Sequence, residues 1–385
     1  MPADRALIVG GGIGGLASAY GLLQQGRDVV VFEQASDVRK IQLGGGFHIW
    51  TNAARALQQL GLYEQVQAIG APLNATDYLT AKGEPLASWP VAEIARENGV
   101  VDVGVSRQDL QALLVEAVGA DRIRLGARCT GFEEDGEGVR LKLADGSEEQ
   151  GSLLVGADGL RSTVRAQLHG EQEPHYVGYT QWQSLIPNHK DYALPPGAER
   201  VLFGAGSRAV LHHVGGERLF WAAVLYGAAD GPEAQAGKES LCKRFADWQE
   251  PLTAAIAATP QEQIARLQIY DRKPLAQWGE GRVTLLGDAA HPMTTNLSQG
   301  ANQTLEDAAV LTRCLGAGTE AEPALRAYEE ARIKRTTAVV KQSALLARTG
   351  ALKRPLAVAG RNRMTALTLG GPALKAHRRF VAAEL

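Results

Sequence analysis

A glycine-rich turn between a short apolar run and a helix is the feature that most constrains how this chain folds. Residues Ala6–Val9 are apolar, GGGIGG follows at residues 10–15, and an apolar-periodic stretch continues to Leu23. Gly26 ends that helix, and the next run, Asp28–Glu33, reads DVVVFE, which predicts a buried parallel strand. The order strand, glycine turn, helix and strand is typical of a β-α-β unit in a parallel sheet.

The glycine spacing predicts a dinucleotide site. Gly10 suits the tight turn after the strand, Gly12 lets the backbone approach a pyrophosphate, and Gly15 lets the helix pack closely on the strand. The helix start offers free N–H groups and a partial positive charge to phosphates. Glu33 can accept hydrogen bonds from ribose hydroxyls and disfavours a 2′-phosphate, which excludes NADP here but does not separate FAD from NAD. The alternative is a structural glycine-rich turn.

Two later motifs also indicate a nucleotide cofactor. Residues Gly287–Ala308 read GDAAHPMTTNLSQGANQTLEDA and follow the apolar run RVTLL directly. Asp288 can bind a sugar hydroxyl, and the helix that begins after it can face a ligand with developing negative charge. Residues 156–165 read GADGLRSTVR, an apolar strand that enters a Gly-Asp-Gly turn. Arg161 or Arg165 either meets a phosphate there or lies on a solvated helix face.

The three motifs, in this order and spacing, resemble those of the class A (single-component) flavoprotein monooxygenases, which include para-hydroxybenzoate hydroxylase, salicylate hydroxylase and zeaxanthin-epoxidase-like enzymes. The resemblance implies an α/β fold: a Rossmann-like FAD-binding domain of the para-hydroxybenzoate-hydroxylase type, an inserted β-sheet substrate domain and C-terminal helices. It also implies FAD as cofactor and NAD(P)H as a transient co-substrate. The family's cofactor contacts carry over to Gly10, Gly12, Gly15, Glu33, Gly46, Arg107, Asp158, Asp288, Gly300 and Asn302.

The resemblance further implies an activity. It predicts an NAD(P)H- and O2-dependent monooxygenase that hydroxylates or epoxidises an aromatic or unsaturated small molecule through a flavin hydroperoxide, in secondary metabolism or aromatic catabolism. A same-fold FAD reductase, a flavin halogenase and a non-catalytic FAD-containing metabolite-binding protein are the alternatives. Residues 182–187 read WQSLIP in place of the Trp-x-Trp-x-Ile-Pro pattern of halogenases, which counts against halogenation. The family commonly has Gly where this chain has Ser298.

The cofactor motifs are interrupted by a region rich in strand patterns. We predict a discontinuous FAD-binding domain with C-terminal helices over residues 1–75, 100–172 and 271–385, and a substrate-binding sheet domain over residues 76–99 and 173–270. One long helix is expected in the second domain, from about Glu239 to Ala258.

Histidines are the candidates for a base that deprotonates a phenolic substrate, because histidine titrates near neutral pH. His48 lies in the flavin-side segment, with a structural hydrogen-bonding role as the alternative. His212 and His213 are adjacent on a predicted strand, so they point to opposite faces and at most one lines the pocket.

Aromatic and polar residues are the candidates for the substrate pocket, although aromatic residues on strands are more often plain core. No cluster of Arg or Lys suits a carboxylate, so a benzoate-type substrate is not favoured over a larger apolar aromatic or polyene-like one. The candidate pocket residues are Trp182, Gln183, Trp221, Tyr226 and Asn296.

Composition limits the partners. The formal net charge of −2 argues against nucleic acid. The three cysteines are widely spaced, which fits a reducing compartment and gives no metal-like pattern. No apolar run is long enough to predict a transmembrane helix. We therefore expect a cytoplasmic monomer or homodimer without metal, whose partners are a small molecule and molecular oxygen. The basic stretch Lys353–Arg379 is interpreted as a solvated helical face, with a membrane or partner contact as the alternative.

Overall fold

The computed structural model describes residues 5–37, 45–192, 194–316 and 319–384. The predicted α/β fold, with a Rossmann-like parallel sheet, a second sheet and C-terminal helices, is confirmed. The strands are β1 (Arg5–Val9), β2 (Asp28–Glu33), β3 (Gly46–Ile49), β4 (Ala71–Pro72), β5 (Ala75–Thr80), β6 (Pro85–Trp89), β7 (Val103–Ser106), β8 (Ile123–Leu125), β9 (Cys129–Glu134), β10 (Val139–Leu143), β11 (Glu148–Gly151), β12 (Leu153–Gly156), β13 (His175–Pro187), β14 (Ala198–Gly204), β15 (Ser207–Val214), β16 (Arg218–Tyr226), β17 (Ala265–Asp271) and β18 (Val283–Leu285). The helices are α1 (Ile13–Gln24), α2 (Thr51–Leu60), α3 (Tyr63–Ile69), α4 (Val91–Glu97), α5 (Arg107–Val118), α6 (Thr163–His169), α7 (Lys238–Phe245), α8 (Leu252–Ala258), α9 (Gly300–Cys314), α10 (Ala321–Gly350), α11 (Pro355–Leu369) and α12 (Pro372–Ala382).

A five-stranded parallel sheet, in the order β18-β12-β1-β2-β8, brings distant parts of the chain together. At its carboxyl edge Val9 pairs with Gly156, and Gly156 pairs with Leu285. The glycine turn, the Gly-Asp-Gly turn and the loop that begins at Gly287 therefore leave the sheet side by side. This edge is where open α/β sheets bind their ligands.

A seven-stranded sheet has the order β17-β13-β16-β15-β14-β5-β6 and is antiparallel except for the β14–β5 pair. Successive side chains point to opposite faces of such a sheet. One face packs on α7 and α8 in a core that contains Leu211, Trp221 and Phe245. The opposite face forms one wall of the cavity at the candidate site.

The prediction of one long helix from about Glu239 to Ala258 is wrong. The structure has two helices there: α7 ends at Phe245, and α8 begins at Leu252. Pro251 has no N–H to donate within a helix and disfavours helical backbone in the residue before it, so the helix cannot continue through it. The predicted domain boundaries stay a prediction.

Helix α10 is docked on α9 through buried charges. Arg332 donates hydrogen bonds to Glu306 and to Asp307, and Arg335 donates to Glu306 at 2.7 Å. Asp307 also accepts the backbone N–H of Gly287 at 3.1 Å. Removing one member would leave an uncompensated buried charge, which costs about 3–5 kcal/mol. This network thus fixes the loop that follows β18.

Candidate active site

In the glycine turn, neighbouring backbone leaves no room for a side chain at Gly10 or Gly15, whereas the space next to Gly12 is free. Gly10 has a φ of +108°, and a Cβ there would lie 2.2 Å from the carbonyl oxygen of Ala157. A Cβ on Gly15 would lie 1.9 Å from the carbonyl oxygen of Gly10. A Cβ on Gly12 would meet no atom within 4 Å. Because Gly12 also begins α1 without a side-chain cap, the first N–H groups of the helix are available to a phosphate.

A cavity of about 430 Å³ lies beside this turn, and Glu33 borders it. One carboxylate oxygen of Glu33 accepts the N–H of Gly11 at 2.8 Å, and the other accepts the N–H of Ala35 at 2.7 Å. A carboxylate oxygen can accept two hydrogen bonds, so each keeps capacity for a ribose hydroxyl. The Glu33 side chain is therefore held in place and can still accept hydrogen bonds from a ligand.

Asp158 borders the same cavity with one oxygen unsatisfied. Its Oδ2 accepts the backbone N–H of Thr163 at 2.7 Å, whereas its Oδ1 is buried without a hydrogen-bond partner. Burial raises the pKa of Asp158. An orphaned buried acceptor at a cavity wall is satisfied when a ligand donates to it.

The two arginines after this turn have different positions. Arg161 borders the first cavity. Arg165 is buried and donates to the carbonyl oxygens of Ala289 and Ala290, each at 3.0 Å. Arg165 therefore supports the backbone of the loop after β18 and does not meet a phosphate.

A second cavity, of about 490 Å³, continues from the first, since Gly12, Ala157 and Gly159 border both. An elongated ligand can thus extend from the glycine turn towards the seven-stranded sheet. Asp288 is accessible from this cavity, but the surrounding protein limits water and raises its pKa. Besides Gly12, four residues assigned by resemblance to the cofactor border this second cavity: Gly46, Arg107, Asp288 and Gly300.

Asn302 does not face the cavity as the resemblance implied. Its Oδ1 accepts the backbone N–H of Trp50 at 2.9 Å, and its Nδ2 donates to the carbonyl oxygens of His48 and Ser298 at 2.9 and 2.7 Å. Ser298 borders the cavity with a φ of +52°, a left-handed conformation that suits the glycine common in the family. Asn302 therefore holds both the β3 strand and the turn at Ser298 in place.

The cavity wall is made by alternate residues of the seven-stranded sheet. Gln181 and Gln183 of β13 border the cavity. Trp182, between them, lies in the apolar core on the opposite face, and so does Trp221 of β16. The indole Nε1 of Trp221 donates to Thr259 there at 2.9 Å. Of the predicted pocket residues, Gln183 is thus on the wall, and the two tryptophans are core residues.

Tyr226 and Asn296, the other two predicted pocket residues, contact each other and do not border the cavity. The Nδ2 of Asn296 donates to the hydroxyl of Tyr226 at 3.2 Å, and its Oδ1 accepts the hydroxyl of Tyr179 at 3.1 Å. The two tyrosine rings pack together with Val224 in a small buried cluster. These contacts position the loop at residues 295–297 against the sheet.

Arg208 is a wall residue that sequence analysis did not identify. It is 4% exposed and borders the cavity. Its Nη2 donates to Thr295 Oγ1 at 3.2 Å, its Nη1 contacts the carbonyl oxygen of Asn296 at 3.5 Å, and its Nε has no hydrogen-bond partner. Among the residues that the structure describes, no carboxylate forms an ion pair with it. A buried cation with a spare donor favours an anionic or carbonyl oxygen of a ligand.

His48 is held between two buried carboxylates at the cavity wall. Its Nδ1 lies 3.0 Å from Glu199 Oε2, and its Nε2 lies 3.2 Å from Asp102 Oδ2. Burial alone lowers the pKa of His48, but the charges and hydrogen bonds of Glu199 and Asp102 outweigh it and raise the pKa to about 9. The charge of His48 in turn lowers the pKa of Glu199 to about 2, against the effect of burial. With both nitrogens donating, His48 keeps no lone pair with which to accept a proton.

His212 and His213 point to opposite faces, as the alternation predicts. His212 is buried and borders the cavity, and its Nδ1 lies 3.1 Å from the carbonyl oxygen of His213. A carbonyl accepts only a proton-bearing nitrogen, which assigns the proton to Nδ1 and leaves Nε2 as the acceptor. Burial lowers the pKa of His212, so the ring is neutral at pH 7. The Nε2 of His213 is buried without a partner on the other side of the strand.

Comparison with known proteins identifies the family. A family model described as an FAD binding domain matches residues 4–343. The aurachin C monooxygenase/isomerase of Stigmatella aurantiaca is 38% identical over 344 residues, which cover 89% of each chain. An FAD-dependent urate hydroxylase of Klebsiella pneumoniae is 33% identical over 340 residues, which cover 87% of this chain and 88% of that protein. The chain belongs to the FAD-dependent monooxygenases.

The fold agrees with this assignment. The crystal structure of Klebsiella pneumoniae HpxO complexed with FAD and uric acid superposes with a TM-score of 0.90 at 28% identity, covering 98% of this monooxygenase and 96% of that chain. The open backbone at Gly12, the orphaned oxygen of Asp158 and the two connected cavities fit an elongated dinucleotide such as FAD. The predicted family, cofactor and enzyme class are confirmed.

The monooxygenase therefore uses FAD, with NAD(P)H as co-substrate, to add oxygen to an aromatic or unsaturated small molecule. In the described segments, every helix is either too short or too polar to cross a bilayer.

Proposed function

We propose that this monooxygenase hydroxylates a planar ring compound that carries an ionisable O–H or N–H group on one side and an anionic or carbonyl oxygen on the other. The observation that carries the proposal is the order Arg208, Val210, His212 along the cavity face of β15. At a rise of about 3.3 Å per residue, the Cα atoms of Arg208 and His212 are roughly 13 Å apart. The two side chains extend into the cavity and shorten this distance, so that one or two fused rings fit between them.

The space between the two polar residues is apolar. Val210 of β15 and Ala222 of β16 are cross-strand partners that border the cavity between Arg208 and His212. A flat ring is stabilised over such a surface, while its polar edges meet the arginine and the histidine. The urate hydroxylase relative acts on urate, a ring compound with N–H and oxygen groups, which supports this substrate class.

His212 is the proposed general base. Its Nε2 accepts the proton from the O–H or N–H of the substrate, which makes the ring richer in electrons and more reactive towards an electrophilic oxygen. The imidazolium that results faces Glu199, its cross-strand partner, whose negative charge stabilises it. When bound, FAD would supply the redox chemistry with NAD(P)H and dioxygen as co-substrates. Arg208 holds the oxygen at the other edge of the ring.

The cofactor contacts are proposed from the two cavities. Glycines and carboxylates beside the first cavity hold the ADP half of FAD, and residues around the second hold the flavin half. Asn302 positions the flavin-side backbone without a contact of its own. We place the enzyme in the cytoplasm, since its three cysteines are unpaired. The ADP-side residues are Gly10, Gly12, Gly15, Glu33 and Asp158, and the flavin-side residues are Gly46, Arg107, Asp288 and Gly300.

The adjacent histidines provide the test. His212→Asn is expected to lower the rate of hydroxylation of a hydroxylated ring compound by about 10²–10⁴-fold, because it removes the base. His213→Asn changes the neighbouring residue on the opposite face and is expected to keep the wild-type rate. The measurement is product formation from labelled dioxygen, with FAD content confirmed by the visible spectrum of each variant.

Two results would contradict the assignment of His212. One is a His212→Asn variant that hydroxylates as fast as the His213→Asn control. The other is equal turnover of a substrate and of its O-methyl ether, which has no proton for His212 to accept.

A further inference from the structure

The last 55 residues differ sharply in charge from the rest of the chain. Residues 331–385 contain twelve of the 40 Lys and Arg residues but only one, Glu384, of the 42 Asp and Glu residues. The preceding 330 residues therefore hold the other 28 basic and 41 acidic residues. The small net charge of the chain is therefore the sum of a basic region, residues 331–385, and an acidic region, residues 1–330.

Among the described residues, five of these twelve cations have a partner within the protein and seven do not. Arg332 and Arg335 bind Glu306, and Arg378 donates to Glu93 and Glu97. Seven others are exposed, and none of the described residues forms an ion pair with them: Lys334, Lys341, Arg348, Arg354, Arg363, Lys375 and Arg379. Their charge faces solvent.

Exposed apolar side chains are concentrated in the same region. Of the seven large apolar side chains that are exposed in the described segments, five lie between residues 345 and 367. Leu356, Met364 and Leu367 of α11 are 90%, 60% and 66% exposed. At 100° per residue these three positions fall within about 80° of each other, on a single face of the helix. Arg363 lies beside them on that face.

The opposite face of α11 is firmly attached to the protein. Arg361 Nη1 donates to the carbonyl oxygen of Gly204 at 2.9 Å, and the indole of Trp89 donates to the carbonyl oxygen of Leu369 at 2.9 Å. The helix is thus held by its inner face, while its outer face presents leucine and methionine to solvent. Folding of the chain does not require those outer side chains.

We propose that the outer face of α11, with the end of α10, docks on an anionic phospholipid surface. An apolar face surrounded by Lys and Arg is the pattern of a helix that lies in a membrane interface: the apolar side chains enter the acyl boundary and the cations bind anionic headgroups. A single sign of charge, without acidic residues, complements a lipid surface better than the mixed charges of a protein. This docking is peripheral and is independent of the proposed reaction.

The test is flotation of the full-length FAD-bound enzyme with two kinds of vesicle, one of phosphatidylcholine alone and one that also contains phosphatidylglycerol. Binding is expected only to the anionic vesicles and is expected to weaken as salt is added. The variant R348Q/R354Q/R363Q is expected to bind about 10²-fold more weakly, since each cation near the surface contributes about tenfold or less. The variant L356S/M364S/L367S is expected to lose binding as well.

Leu125→Ser, which changes an exposed leucine outside the region, is the matched control and is expected to bind like the wild type. FAD content and turnover of a water-soluble substrate report on the fold of every variant. Wild-type enzyme that fails to float with anionic vesicles at low salt overturns the proposal. So does a wild-type dimer that the L356S/M364S/L367S variant dissociates in solution while neither protein binds lipid, because a second copy of the chain would then cover this face.

Discussion

The two faces of the seven-stranded sheet are built from the same strands and have opposite chemistry. The face towards α7 and α8 is an apolar core that includes Trp182, Leu211 and Trp221. The cavity face carries Gln183 and Arg208, with their polar groups at the cavity. Adjacent residues therefore have unrelated roles, and a residue's position in the strand alternation, more than its type, decides whether it affects stability or function.

Trp221→Ala, on the core face of the sheet, is expected to have the largest effect on stability. The indole is fully buried and its N–H donates to the hydroxyl of Thr259, so its removal leaves a large cavity and takes away this hydrogen bond. We expect a loss of about 3–5 kcal/mol in the free energy of unfolding, with ligand affinity of the folded protein unchanged. Urea denaturation at a fixed FAD concentration measures the first quantity.

The neighbouring Phe220→Ala is the matched control, since Phe220 borders the cavity from the next position of the same strand. Its removal enlarges existing space, so it is expected to cost less stability and to change ligand affinity more. If the two variants had the reverse pattern, the assignment of the faces would be wrong.

Arg208→Gln alters the polar face with a smaller effect. A hydrogen bond to a charged group contributes about 1.5–3 kcal/mol, so loss of the guanidinium is expected to weaken substrate binding about 10–100-fold. The FAD content is expected to stay unchanged. Arg266→Gln, on the edge strand β17 of the same sheet, is the control, because Arg266 is exposed and its Nη1 donates to the carbonyl of Ala234 and the side chain of Gln235. Equal substrate affinity in the two variants would exclude Arg208 as the anion contact.

The glycine turn and the strand alternation could be predicted from sequence because both are local properties. Gly10, Gly12 and Gly15 act through backbone geometry within one turn, and the opposite orientation of His212 and His213 follows from one strand. Which face borders the cavity was not predictable in this way. Trp182 was assigned to the pocket because an aromatic strand residue has the same sequence signal in a core as in a binding site.

The remaining errors involve partners that are far away in sequence. Asn302 is bound to the backbone of Trp50, 252 residues earlier, so its spacing from the flavin motif gives no sign of that role. Arg208 is buried by Thr295 and Asn296, 87 and 88 residues later, and reads in sequence as an ordinary strand arginine. Side chains whose role depends on such contacts need the three-dimensional structure for their assignment.

His48 joins β3 to the cavity face of the sheet, and its effect on stability depends on pH. The groups that surround it are Asp102, Glu199, His212 and His377, and burial with the charge of His48 lowers the pKa of His377 to about 3. Because the folded-state pKa of His48 is raised to about 9, its charge stabilises the fold fully below its unfolded pKa of about 6.5. That stabilisation is lost as the pH rises through about 9. The slope cannot exceed about 1.4 kcal/mol per pH unit for one proton.

His48→Gln is expected to be less stable than the wild type at pH 7, because Asp102 and Glu199 lose their cation, and the difference is expected to shrink towards pH 9.5. The difference between the two free energies of unfolding isolates this proton from the lysines and tyrosines that titrate in both proteins. A constant difference across that range would mean that His48 is neutral in the folded protein. His48 would then have a lone pair that can accept a proton, and its charge would no longer be a reason to prefer His212 as the base.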